Sequence, residues 1–379
     1  MKRHFALGTA TLLAAGALIA CTDSTMNRAT APESDVTAMS MPLPADNPFS
    51  APSTLQFQYP RFDLIEEAHY PPAFEAGMAA QLAEIEAIAS QADAPTVENT
   101  LVALERSGQL LDRVASVFYG LVGAHTNDRL KELQAEIAPK LAAHRDRILL
   151  HPELFARIDA LHAQRADLGL DAETLRLVEE THKDFVRAGA RLSEAGKERM
   201  RAINAELAEL RTRFEQNVLD EGNALAIVVD SREELAGLDD TQIQTAAKAA
   251  ESRELGGKYV IPLLNTTQQP LMSELEDRAL RERMLKASMS RGNRGGELDN
   301  REVVSRIARL RAEQSQLLGY ATHADFVLDE ETAGSVAAVN ERLAALTPPA
   351  VANARHEAED LQAVIAAEGG DFELAAWDW

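Results

Sequence analysis

A chain of 379 residues with 46% hydrophobic side chains is long enough for two domains or one large helical body. Its 38 Lys and Arg against 60 Asp and Glu leave a formal charge of −22 with no basic stripe, so nucleic acid is not an expected partner. The single cysteine, Cys21, excludes an internal disulfide and a cysteine-based zinc site.

The first elements form an export segment. Lys2 and Arg3 precede an uncharged run from Phe5 to Ala20 that is rich in Ala and Leu. That run is short for a membrane span of about 20 residues. Its ending, Leu18-Ile19-Ala20-Cys21, resembles the bacterial lipobox. The resemblance implies a signal peptide over 1–20 and a lipid on Cys21 as the first mature residue. The protein would then be an exported lipoprotein of the bacterial cell envelope, anchored in a membrane and facing the periplasm. From Thr22 to Asp46 the chain is rich in Ser, Thr, Ala, Pro and Asp and has no apolar period. Residues 21–46 therefore read as a lipidated, disordered tether.

A folded body is expected over 47–379, mainly α, with a small two-strand element. Pro71-Pro72 opens a first helix, whose face carries Phe74, Met78, Leu82, Ile85 and Ile88. The spacing predicts a second helix over Asn99–Gly123 and a third over Asp128–Leu150, with a kink or break at Pro139. A shorter helix follows over Pro152–Gln164. Asp171–Leu219 is strongly helical, with Ile203, Leu207, Leu210, Phe214 and Val218 on one stripe and a break near Gly189 and Gly196. The short apolar, β-branched runs at 224–229 and 259–264 read as strands, with Pro262 implying an edge. A helix over Asp240–Glu251 separates them, and another runs over Leu271–Ser288.

The glycine-rich stretch Arg291–Gly296 then leads to a helix. Asp299 and Glu302 have the spacing of a capping box, Val303, Ile307, Leu310 and Leu317 share a face, and Gly319 is the stop. Such a turn can hold an anion on its N–H groups, but more often it only joins two helices. Two last helices, Ser335–Leu346 and Val351–Glu368, are expected on either side of Pro348-Pro349. The only tryptophans, Trp377 and Trp379, close the chain, and an exposed apolar patch is expected there.

No catalytic constellation stands out. None of the nine histidines is separated from another by four positions, so H-E-x-x-H is absent. His356 and Asp360 are the nearest miss, on an ordinary acidic helix. G-x-S-x-G, Walker and dinucleotide motifs are also absent, and Cys21 is taken by the proposed lipid. The residues alone describe an exported helical body with no catalytic, cofactor-binding or metal residue assigned in this chain.

Several segments, taken together in order, nonetheless resemble the M3 zinc metallopeptidases, in the branch of peptidyl-dipeptidases near oligopeptidase A. They are Asn47-Pro48-Phe49, His69-Tyr70-Pro71-Pro72-Ala73-Phe74-Glu75-Ala76-Gly77-Met78, Pro95 to Thr100, Arg278 to Arg283, Arg291 to Gly296, Asp299-Asn300-Arg301 and Leu317-Leu318-Gly319-Tyr320. The resemblance implies the multi-helix N-terminal lobe of a two-lobed body around a deep channel. In the complete family protein, zinc held by H-E-x-x-H and a downstream glutamate would activate water, with the motif glutamate as general base. Substrates would be short unstructured peptides, and the peptidyl-dipeptidase branch releases C-terminal dipeptides.

Trp377-Asp378 resembles the family's passage into its catalytic half. The zinc lobe is therefore expected to be absent from these 379 residues, and the chain alone is expected to bind no zinc and cleave nothing. That expectation places the zinc motif in the DNA that follows Trp379. The competing expectation is a non-catalytic helical lipoprotein that binds peptides or a partner.

Overall fold

A computed structural model describes residues 43–264 and 270–379. The export segment, Cys21 and the tether up to residue 42 lie outside the described residues. The chain divides into two units. One holds residues 43–213 and 310–319, the other 214–309 and 320–379, within the described residues.

The first unit is helical. Its elements are α1 (Tyr70–Ala89), a π-helical turn Val97–Val102, α2 (Ala103–Arg106), α3 (Gln109–Ala124), α4 (Asp128–Leu149), α5 (Pro152–Gln164), α6 (Ala172–Ala188), and parts of α7 (Glu194–Ala224) and α10 (Arg301–Leu317). The prolines of α1 sit in its first turn, where a missing N–H costs nothing. Phe74, Ile85 and Ile88 are buried as the spacing requires, with Met78 and Leu82 packed at the margin. Pro139 lies inside α4, which runs on without a break.

The helix expected over Asn99–Gly123 is divided. Gly108 adopts φ +75° ahead of α3, and its N–H donates to Glu84 Oε2 at 2.7 Å. Two clusters fill this unit. One gathers Ile85, Leu101, Leu154, Ile158 and Phe185. The other is aromatic, with the Phe118 ring centroid 5.1 Å from Tyr70 and 5.4 Å from Phe74. Leu43 already packs against this second cluster.

The second unit contains β1 (Ile227–Val229) and β2 (Tyr259–Ile261), paired antiparallel with Val228 opposite Val260. α8 (Asp240–Glu251) lies between them in sequence, and α9 (Arg278–Met289), α11 (His323–Leu328) and α12 (Val336–Ala367) follow. Val229, Leu235, Ile243, Ile261, Leu275, Leu280 and Met284 form its core. α9 begins later than the spacing suggests, because Asp277 caps it by accepting the Leu280 N–H at 2.7 Å.

Two further expectations are corrected. Pro348 and Pro349 do not separate two helices but lie inside the single helix α12. The carbonyls their N–H groups would have met belong to Ala344 and Ala345, which are exposed, so water can satisfy them. Asp299 is also not the residue directly before α10. That place is held by Asn300, whose carbonyl accepts the Val304 N–H at 3.0 Å.

Candidate functional site

Among the described residues, no group of three or more His, Cys, Asp or Glu side chains could hold a metal ion. One histidine pair does meet, in the first unit. The His162 ring on α5 and the His182 ring on α6 stack with centroids 3.8 Å apart and 6° between planes. His182 Nε2 lies 2.9 Å from Asp159 Oδ1, and Arg191 donates to the same oxygen at 2.9 Å. Those hydrogen bonds, from His182 and then Arg191, hold the Asp159 carboxyl below its usual range. The pair does not fit zinc. Imidazole lone pairs lie in the ring plane, so parallel rings cannot converge on one ion at about 2.0 Å. The carboxylate that might join them is already shared with a guanidinium. Phe155 continues the stack 5.8 Å from His182, so this is packing. His356 and Asp360 stand 3.7 Å apart, both exposed.

The segments that carried the resemblance do structural work in the first unit. Buried Asn47 donates from Nδ2 to the His69 carbonyl at 3.1 Å, and its Oδ1 accepts the Phe49 N–H at 3.0 Å. Phe49 then lies 5.5 Å from the Tyr70 ring. Burial pushes the Tyr70 hydroxyl up to about 12. Thr96 and Asn99 form a reciprocal cap, each accepting the other's N–H at 3.1 and 2.8 Å. Arg157, itself buried, donates to Asn99 Oδ1 at 2.9 Å and to the Gln91 and Asp93 carbonyls. None of these groups presents a free nucleophile or base.

The glycine-rich turn belongs to the second unit, and protein carboxylates occupy its Gly292 and Gly295 donors. Buried Glu221 of α7 accepts the Gly292 N–H. Asp299 accepts the Gly295 N–H at 2.6 Å and the Arg301 N–H at 2.9 Å. Burial raises the Asp299 carboxyl, but the donations from Arg301 and Gly295 outweigh it and hold the group below its ordinary range. Asn300, fully buried, accepts from Asn217 Nδ2 at 2.9 Å and donates to the Phe214 carbonyl at 3.2 Å. The turn is thus a fitted junction against α7, and its Gly292 and Gly295 donors are not offered to an outside anion.

The stripe on α7 misled in its second half. Met200, Ile203 and Leu207 are buried, but farther along Asn217 and Glu221 are buried where Phe214 and Val218 were expected. Polar residues at spacing four, opposite a glycine-rich turn, were the only signal available in the sequence.

The end of the described chain folds back on α9. Asp378 accepts from Arg278 and Arg281, and its side chain is 4% exposed. The Arg278 guanidinium also lies over the Phe372 ring at 4.5 Å and the Trp377 ring at 5.4 Å. Trp377 is half-buried, and Trp379 is 60% exposed.

Residues 271–379, which include the glycine-rich turn and this clamp, match the family model for peptidase family M3. Over 333 residues, 88% of this chain and 49% of the relative, the chain is 41% identical to dipeptidyl carboxypeptidase of Escherichia coli (strain K12). It is 42% identical over 333 residues to the dipeptidyl carboxypeptidase of Salmonella typhimurium, with the same 88% and 49% coverage. To oligopeptidase A of Haemophilus influenzae it is 31% identical over 325 residues, 84% of this chain and 47% of that protein. The chain therefore spans about half the length of the curated relatives it matches.

Proposed function

We propose that this chain, a relative of the M3 peptidases, is part of an exported metallopeptidase that releases dipeptides from the carboxyl ends of short, unstructured peptides. The observation that carries this reading is the 41% identity over 333 residues to a dipeptidyl carboxypeptidase, joined to the M3 match over 271–379. Zinc enters the proposal only as the family's metal. No described residue is proposed as its ligand, because the histidine and carboxylate groups above are committed to stacking, caps and ion pairs.

By itself the 379-residue chain is proposed to be inactive, its part being that of a helical lobe. Membrane attachment through a lipid on Cys21 belongs to the same proposal, supported by the apolar run and the lipobox-like ending.

The test of the activity is mass spectrometry of an N-blocked oligopeptide incubated with the chain joined to the half of the E. coli relative that it does not span. The proposal expects stepwise loss of C-terminal dipeptides, abolished by a chelator. Cleavage at internal sites only, or none by a folded fusion, would reject it. Attachment is tested by labelling cells with a radioactive fatty acid. Label on the wild-type chain and none on Cys21→Ser is expected, whereas equal label on both rejects Cys21 as the anchor.

A further inference from the structure

A groove runs between α1 and α4 in the first unit. Three contacts fix how the two helices lie. Lys140 Nζ stands 3.6 Å from Glu75 Oε1, His144 Nε2 is 2.7 Å from Gln81 Oε1, and His151 Nε2 is 3.3 Å from Glu86 Oε2. The residue numbers rise together, so the helices run side by side in the same direction. Between them lies an open space of about 330 Å³, walled by Met78, Ala79 and Leu82 of α1 and by Ala143 of α4. Met78 packs at the margin of the aromatic cluster and Leu82 at the margin of the other, so the groove follows the seam between the two cores. Ala79 and Ala143 leave the space that longer side chains would fill. From Glu75 to Leu82 the helix rises about 10 Å. At about 30 Å³ for each non-hydrogen atom, the share of one water in the liquid, the space holds on the order of ten atoms.

The two ends of the groove differ in charge. Lys140 borders one end and is already engaged, donating to Glu136 at 2.9 Å and facing Glu75. Arg147 borders the other end and meets no carboxylate among the described residues. The acids that follow Leu82 on α1 are held elsewhere, Glu84 by the Gly108 N–H and Glu86 by His151. Buried His144 adds no charge at neutral pH, because burial, and then Arg147, lower it from 6.5 to about 4. An apolar groove with one uncommitted cation at its end matches an apolar chain with one anion at its end. A peptide matches it poorly, since its N–H and C=O groups would find no partners along Met78, Ala79, Leu82 and Ala143.

We propose that the groove between α1 and α4 binds an aliphatic monocarboxylate of about eight carbons, its chain between Ala79 and Ala143 and its carboxylate on Arg147. The site stands apart from peptide cleavage and from the lipid on Cys21, and needs neither.

The probe is octanoate, and the readout is the methyl resonance of Met78 in the 379-residue chain carrying isotope-labelled methionine, assigned through Met78→Leu. That resonance should move saturably, with half-saturation at about 1 mM, while those of Met200 and Met284 stay in place. Arg147→Gln should weaken octanoate about three- to tenfold and leave octanol, the same chain without the charge, unchanged. Ala143→Leu should fill the groove and abolish the movement, with the Met200 and Met284 resonances showing that the variant is folded. If that variant disturbs them, Ala79→Leu makes the same test from α1. A Met78 resonance that octanoate does not move saturably would overturn the proposal, as would octanoate binding that Arg147→Gln leaves intact. N-acetyl-leucine binding as tightly as octanoate would overturn it in favour of the carboxyl end of a peptide. Movement that follows chain concentration without any ligand, alongside a dimer mass, would overturn it in favour of a second copy.

Discussion

Arg278 donates to both carboxylate oxygens of Asp378, from Nε to Oδ1 at 3.0 Å and from Nη2 to Oδ2 at 2.9 Å. Arg281 adds a third donor at 3.0 Å. Burial raises the Asp378 carboxyl, but the Arg278, Ala375 N–H and Arg281 donations outweigh it and hold it below the ordinary range. The clamp is therefore present above the unfolded carboxylate pKa and is lost as pH falls through the lower folded value. Asp378→Ala leaves two guanidinium groups facing a vacated site. It should cost the tail's docking about 1–3 kcal/mol. Limited proteolysis checks this: cleavage between Gly370 and Trp379 should accelerate in the variant, with α9 unaffected.

Asn300 is completely buried and serves two partners on α7. Asn300→Ala would leave the Asn217 amide and the Phe214 carbonyl without their bonds. At about 1–3 kcal/mol for each of the two buried polar groups so stranded, the loss should be about 2–6 kcal/mol. Urea unfolding measures it. Asp299→Ala, which removes bonds at the edge of the same turn, should cost less than Asn300→Ala.

His144 and Asp146 sit two residues apart on α4, and both are buried. Burial, with Arg147 adding to it, pushes His144 down from 6.5 to about 4. The folded state then holds fewer protons than the unfolded between those values, so stability rises with pH across that window. Burial pushes Asp146 up from 3.8 to about 6, against a 2.7 Å donation from Asn204. Here the folded state holds more protons, so stability falls as pH rises from 3.8 to about 6. The two slopes oppose each other where they overlap. Asp146→Asn should uncover the rise, and His144→Gln the fall, each on the order of 3 kcal/mol over its window. Urea unfolding at pH 4, 5, 6 and 7 separates them.

A Cβ at Gly108 would lie 2.3 Å from Gln81 Nε2, at a backbone φ of +75°. Gln81 is not free to swing away, since its Oε1 accepts from His144 Nε2 at 2.7 Å. Gly108→Ala should cost about 1–2 kcal/mol from the left-handed backbone alone. It should cost more through the displaced Gln81. In the Gln81→Ala background the second part should vanish, which a double-mutant cycle would register.

Most of the helices were legible because their apolar faces repeat at helical spacing and their ends carry caps. Pro152–Gln164 and Asp240–Glu251 have the expected limits. The short β-branched runs gave the strand pair, though only Ile227–Val229 and Tyr259–Ile261 are laddered. Less legible was anything decided by a distant partner. Asn217, Glu221 and Asn300 look like surface residues until α7 meets the glycine-rich turn. Prolines 348 and 349 suggested a break, but exposure of the carbonyls behind them lets α12 continue. The segments that carried the family resemblance proved to be caps, aromatic contacts and junctions, so they pointed to kinship without carrying chemistry.

Release of dipeptides from the carboxyl end is the property that kinship with dipeptidyl carboxypeptidases leads one to measure first. The 379-residue chain and its fusion to the unspanned half of the E. coli relative would each be incubated with an N-blocked oligopeptide and zinc. C-terminal dipeptides are expected from the fusion, suppressed by a chelator, and none from the chain alone. Dipeptides from the isolated chain, or a folded fusion that releases none, would contradict the proposed function.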